Sequence, residues 1–401
     1  MQERRLERTA WVVIALNVLY AMADSFCSVF VGVYLWVNSL DFQVVCSHYI
    51  ALYITTPCVF LLAGWYSQAR DRVHVYRVGL ALHAVYYGTL LILREHSPEH
   101  AVGLGVLLGI TWGFFWAGNN TFSFDVITPR QRDYYFGWMG AMTGTARMLA
   151  PLFSGLIIRF ASTPHQGYLW VFAGAVAVYA AAIGVSVWVP PDNVPRPFHI
   201  RRALFPGRDQ RDWQWIMLAS ASLAGTFNIF DFLLGLVMFM QTASEVSVGG
   251  FSSLQATAGI AVSYALGRFI VPRTRRTSMF WATLLLFGGG VLVVLKLNVA
   301  TLIVFGFLRS ISAPLFGIPH SSVRFDVIDR CVQNRAQRIE YLCAWEVPLA
   351  VGRVIMMAIL VSLYAVMGEG GIRITLFIIC ANRFLTYFLI TRVSTLRHER
   401  R

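Results

Sequence analysis

This chain is built from a succession of apolar runs, each about the length of a membrane crossing. A helix needs about 20 apolar residues to cross the hydrocarbon layer. Twelve runs qualify, at 10–36, 46–67, 75–93, 101–124, 134–160, 167–189, 213–240, 249–271, 278–296, 299–322, 339–366 and 374–391. Charged residues make up only 13% of the 401 and apolar ones 57%, whereas soluble domains carry about 25% charged residues. So few charges cannot cover a solvated surface, and the reading is an all-α integral membrane protein. The first run is too long for the apolar core of a cleaved signal peptide, so it is expected to remain as a membrane helix.

The runs divide into two sets of six. The phrase Phe124-Asp125-Val126-Ile127 returns as Phe325-Asp326-Val327-Ile328, each copy ending an apolar run and opening an arginine-rich loop. Arg132 and Arg147 follow the first copy, and Arg338 and Arg353 follow the second at the same separation. A repeat with a period of half the chain reads as a duplicated multi-helix unit. The expected divisions are a first half at 1–189, a polar Pro- and Arg-rich linker at 190–212, and a second half at 213–401.

Arginine sets the expected topology. Most of the 33 basic residues fall on one side, among them Arg70, Arg72, Arg130, Arg132, the linker arginines, Arg275, Arg324, Arg335 and Arg338. Basic residues are retained on the cytoplasmic side, so both termini are expected there, in the cell membrane. The net charge of +13 then reads as topology and anionic-lipid contact rather than nucleic-acid binding. The six cysteines form neither a disulfide framework nor a zinc pattern. H-E-x-x-H, G-x-S-x-G and P-loop motifs are absent, so no catalytic residue, metal ligand or cofactor is expected. Gly105, Gly109 and Gly113 recur every fourth residue, as on a face where helix backbones meet closely.

Twelve helices in two sixes with a basic central linker resemble the major facilitator superfamily of secondary transporters. The loop after helix 2 in that family carries a glycine, an acid and a basic cluster. Here it reads Gly64 to Arg72, with Gln68 at the acid position and Asp71 as the substitute. The second copy runs from Gly267 to Arg276, with Val271 at the acid position. Helix 5 of the superfamily's exporters carries small residues around a proline. Gly137, Ala146, Ala150, Pro151, Ser154 and Gly155 stand at comparable positions, and this resemblance leans towards export.

Charges within the runs are the candidate coupling residues, because a charge at the bilayer centre is costly and faces a cavity or a partner. They are Asp24, Arg147, Asp231, Arg309, Glu346 and Arg353. The family's helix neighbourhoods imply two pairs, Asp24 with Arg147 and Asp231 with Arg353, serving either structure or coupling. Glu346 stands about 10 Å along its helix from Arg353, read as too far for contact, and is the first candidate proton carrier, with Asp24 second. Arg383 lies on a helix that the resemblance places outside the bundle and is read as structural or interfacial.

Asn17, Trp112, Trp116, Asn119, Asn120 and Asn228 are candidate cavity-lining residues, with Trp345 beside them. His320 also belongs to this set and is expected to be hydrogen-bonded near the inner interface. Asp71, Arg72, Asp125, Arg132, Arg275, Asp326 and Arg338 are candidate cytoplasmic gate residues. The resemblance implies a monomeric carrier of a small organic solute working by alternating access, proton-coupled and leaning to efflux by antiport. Proton-linked uptake, a lipid flippase and a non-transporting protein on the same fold are the alternatives. Protons, membrane lipids and the solute are the expected partners.

Overall fold

The computed structural model describes residues 8–69, 71–125, 132–190, 197–226, 228–269, 272–332, 337–394 and 396. The side chains of 121–125, 132–134, 136, 137, 267–269 and 272 are not among those described. The described residues are helical nearly throughout, and helices fall on all twelve expected runs. They are α1 (Arg8–Ser39), α2 (Phe42–Ala69), α3 (Arg72–Leu93), α4 (Ala101–Asp125), α5 (Arg132–Phe160) and α6 (Pro164–Ser186), then a short α7 (Arg201–Leu204) in the linker. The seventh run is broken into α8 (Arg211–Leu223) and α9 (Ile229–Thr242), and α10 (Glu245–Phe269), α11 (Arg275–Leu295), α12 (Val299–Cys331), α13 (Arg338–Met367) and α14 (Glu369–Ile390) follow.

Ten stretches of the described residues are long and apolar enough to cross a membrane, with α3 and α4 counted as one through the 3-10 helix Arg94–His100 between them. Large apolar side chains such as Leu62, Ile92, Phe153 and Val366 are exposed. In water such a surface would be a liability, whereas lipid is as apolar as the side chains themselves.

Two compact units emerge: Met1–Phe198 with Ala243–Ser253, and His199–Thr242 with Leu254–Arg401. In the first unit, the α4 glycine stripe does what its spacing implies. A Cβ on Gly105 would lie 2.2 Å from the His48 carbonyl oxygen, and one on Gly113 would lie 2.7 Å from Val59. Only glycine lets α4 lie this close to α2. Aromatic rings fill the core beside them, with Tyr20 stacked on Phe115 at 3.7 Å and His83 on Tyr179 at 4.8 Å.

In the second unit the later part of the expected linker, from His199 on, packs into a core. Ala203 and Trp213 are fully buried in a core with Val327, Ile328, Tyr341 and Val393. The Gln210 side chain donates to the Tyr341 hydroxyl at 2.6 Å, and the His199 amide donates to the Glu340 carboxylate at 2.8 Å. Apolar residues interspersed among the arginines give this segment a face to bury, so it packs onto the second unit.

Candidate functional site

The first unit places Asp24 of α1 half-buried among phenols, within electrostatic range of Tyr20, Tyr87 and Tyr179. Arg147 of α5 is exposed and lies within range of the same Tyr20. Among the described residues no hydrogen bond joins Asp24 to Arg147. Trp116 meets Tyr20 edge-on at 6.0 Å. Trp112, Asn119 and Asn120 are half-buried on the same helix. The Asn17 amide donates back to the Val13 carbonyl at 2.9 Å on its own helix.

The export-like face of α5 serves packing. The Ser154 hydroxyl donates to the Phe26 carbonyl of α1 at 2.6 Å. A Cβ on Gly155 would stand 2.6 Å from the Glu245 carbonyl oxygen, and one on Gly249 would stand 2.2 Å from that of Pro151. Gly137 lies outside the described side chains.

The second unit corrects the pairing inferred from the resemblance. Asp231, in the first turn of α9, accepts from the Arg309 guanidinium of α12 at 2.5 Å. Arg309 also donates to Gln255 of α10 at 2.9 Å and lies over the Phe230 ring. Arg353 instead pairs with Glu346 on its own helix, Nη1 to Oε1, at 2.5 Å. The rise between them is about 10 Å, but both side chains are long and share a face. A helical side chain also leans back towards the N-terminus, which carries the Arg353 guanidinium down onto Glu346.

Two further arginines join this region, and for one of them, Arg324, the structure departs from the expected position outside the helix. Arg324 was assigned to a loop, but α12 continues past Pro319 to Cys331 and buries it. Its guanidinium lies over the Trp345 ring at 3.7 Å, with Phe325 at 4.9 Å. Trp345 is held in turn by the Ser220 hydroxyl of α8, which accepts from its indole N–H at 2.7 Å. Arg383, expected to be structural or interfacial, is buried over the Phe316 ring at 4.4 Å. His320 stacks on the same Phe316, and its Nε2 finds no hydrogen-bond partner, contrary to expectation. Nothing in the run lengths marked Arg324 as buried. An aromatic residue one turn from a guanidinium on a neighbouring helix becomes visible only after folding.

Of the expected gate residues, Asp71 caps α3 by accepting from the Val73 amide at 2.9 Å, and Arg72 is buried within the first unit. Arg275 pairs with Asp326 at 2.8 Å, tying α11 to α12. Arg338 pairs with Asp329 at 2.6 Å, a partner that the sequence reading did not single out. The side chains of Asp125 and Arg132 lie outside those described. Asn228, expected in the cavity, stands at the break between α8 and α9 with a φ of 65°. No cluster of three His, Cys, Asp or Glu side chains suited to a metal ion forms among the described residues.

A helical fold whose spans are long and apolar enough to cross a membrane defines a polytopic membrane protein. Residues 9–326 match the Major Facilitator Superfamily, and the chain belongs to that family. It is 27% identical over 378 residues to the protein "Uncharacterized protein YqgE" of Bacillus subtilis (strain 168), covering 94% of this chain and 88% of that one. A shorter match, 31% identical over 189 residues, is to "Uncharacterized protein in sodM 3'region" of Geobacillus stearothermophilus, covering 47% of this chain and 87% of that one. Among solved structures, a bacterial homologue of the iron transporter ferroportin in its inward-facing state shares the fold at a TM-score of 0.69. It is 15% identical and covers 96% of this chain and 98% of its own. The nucleoside transporter NupG does so at 0.68, with 12% identity over 97% and 99%. The protein is therefore a multi-pass membrane transporter of the major facilitator type.

Proposed function

We propose that the protein is a proton-coupled secondary transporter that exports a small organic solute by alternating access. In this reading it sits in the cell membrane with both termini cytoplasmic, because arginine crowds the linker side of the spans. The observation that carries the reading is the set of ionisable groups held within the membrane-spanning helices. Such groups are expensive there and mark ion and substrate pathways. Asp24, half-buried among tyrosine hydroxyls, is the preferred proton acceptor. Glu346, paired with Arg353, is the other candidate. Asp231 and Arg309 form the solvated pair that would break and remake as solute passes. The small-residue face of α5 favours export through its resemblance to the superfamily's exporters.

The structural neighbours include a homologue of an iron transporter and a nucleoside transporter. A metal cargo fits poorly with a region rich in guanidinium, which repels cations. The test uses purified protein in liposomes loaded with a pH-sensitive dye, an imposed proton gradient and a panel of neutral, cationic and anionic solutes. A solute that triggers proton flux through the native protein, and none through Asp24→Asn, supports the reading. Solute flux that is indifferent to the proton gradient would replace coupling with facilitated diffusion.

A further inference from the structure

The second unit buries more positive charge than its carboxylates neutralise. Four guanidiniums follow one another through it: Glu346 is paired to Arg353 and lies within electrostatic range of Arg324. Arg324 and Arg383 both lie within range of His320, and Arg309 within range of Arg383. Asp231 serves Arg309 and Glu346 serves Arg353. Neither Arg324 nor Arg383 forms an ion pair or a hydrogen bond among the described residues, and each is 7% exposed. Nε and Nη1 of Arg324, Nε of Arg383 and Nε2 of His320 are buried without a partner.

Ring contacts offset only part of this cost. A cation over an aromatic face gains about 0.5–2 kcal/mol, whereas burying an ion costs several kcal/mol after relaxation. A structural role alone would be better served by methionine or leucine, which fill the same space without the penalty. Two guanidinium forks without ion pairs of their own, both within range of one histidine, match the recognition chemistry of an oxyanion. Guanidinium binds phosphate and carboxylate through paired, charge-assisted hydrogen bonds.

We propose that Arg324, Arg383 and His320 form an oxyanion site within the second unit, and that the group the carrier recognises is a phosphate or carboxylate. This rests on the transporter reading for its role as a solute site, but not for the binding itself. Arg324 and Arg383 supply the charge and the forked donors. His320 contributes a donor at Nε2 in one tautomer. Phe316 and Trp345 lie under the two guanidiniums, which limits the rotamer freedom lost when the anion arrives.

The experiment is thermal unfolding of the full-length protein in an uncharged detergent and a phosphate-free buffer. The probes are inorganic phosphate, phenyl phosphate, benzoate, neutral benzyl alcohol and phosphatidylglycerol. A saturable rise in Tm is expected with phosphate, phenyl phosphate or benzoate and none with benzyl alcohol. A rise with phosphatidylglycerol alone assigns the site to a lipid headgroup rather than a soluble anion, with the same chemistry upheld. Arg324→Met and Arg383→Met should each raise Tm in anion-free buffer, because each removes a buried charge that has no ion pair of its own. Each should also weaken the half-saturating anion concentration at least tenfold. If both variants lower Tm and leave the anion response unchanged, the arginines are structural and the site is overturned. An absence of any anion response in the native protein also overturns it. Liposome flux is scored separately. Anion binding without flux removes only the transport reading, and proton-driven flux of neutral solutes without anion binding removes only the oxyanion site.

Discussion

Arg353 reaches back two turns along α13 to Glu346 and meets it at 2.5 Å, with both side chains almost wholly buried. Removing one member of a buried pair strands the other and costs roughly 3–5 kcal/mol. The two removals differ here, because Glu346 also faces Arg324. Glu346→Gln leaves two guanidiniums uncompensated and is expected to cost the full amount. Arg353→Met leaves Glu346 with Arg324 beside it and is expected to cost clearly less. Thermal unfolding of the two single variants and the double variant checks this. Equal losses would mean that Arg324 does not compensate.

Asp231 and Arg309 present the opposite balance. The Asp231 side chain is 59% exposed, and solvated pairs contribute about 0–1 kcal/mol. Asp231→Asn is therefore expected to leave Tm within a few degrees of the native protein while solute flux in liposomes falls by at least tenfold. Stability lost in proportion to flux would reduce the pair to a structural strut.

The fold was legible because its signal is repeated and periodic. Apolar runs of bilayer length and the glycines of α4 each report on local or one-dimensional constraints, and each maps directly onto a helix or a helix contact. Side-chain pairing was not legible in the same way. Asp231 chose Arg309 over Arg353, and Arg353 chose a residue on its own helix. The run of 299–322 ended too early because the α12 extension carries arginine and aspartate, which hydropathy reads as loop. Arg324 was lost with it. Burial on Trp345 depends on α13 lying alongside, and no window of sequence contains both.

Gly352 sits next to Arg353 where α13 crosses α8. A Cβ there would lie 1.9 Å from the Ala221 carbonyl oxygen and 2.8 Å from Ala224 Cβ, so backbone would have to move. Overpacking of this kind costs about 1–3 kcal/mol or more. Gly352→Ala is expected to lower Tm and to weaken flux by shifting Arg353. Gly88 in α3 provides the contrast, since a Cβ there meets nothing within 4 Å. Gly88→Ala should be neutral or stabilising by up to about 1 kcal/mol through helix propensity. Parallel unfolding curves separate the two, and a neutral Gly352→Ala would mean that the α8–α13 contact yields freely.

The seventh span is interrupted at Asn228, whose φ of 65° lies in the left-handed region between the end of α8 and the start of α9. Asparagine tolerates this conformation and glycine adopts it without steric cost, whereas a β-branched residue is strained there. Three residues later Asp231 stands in the first turn of α9, so the break sets where its carboxylate meets Arg309. Asn228→Gly is expected to keep both stability and flux close to native. Asn228→Val is expected to cost about 1–3 kcal/mol and to displace Asp231 from its partner, which flux would report as a loss resembling that of Asp231→Asn. The decisive comparison is Asn228→Val against Asn228→Val combined with Asp231→Asn. If the break acts through Asp231, the second change adds nothing to the loss of flux. Additive losses would assign Asn228 a separate role.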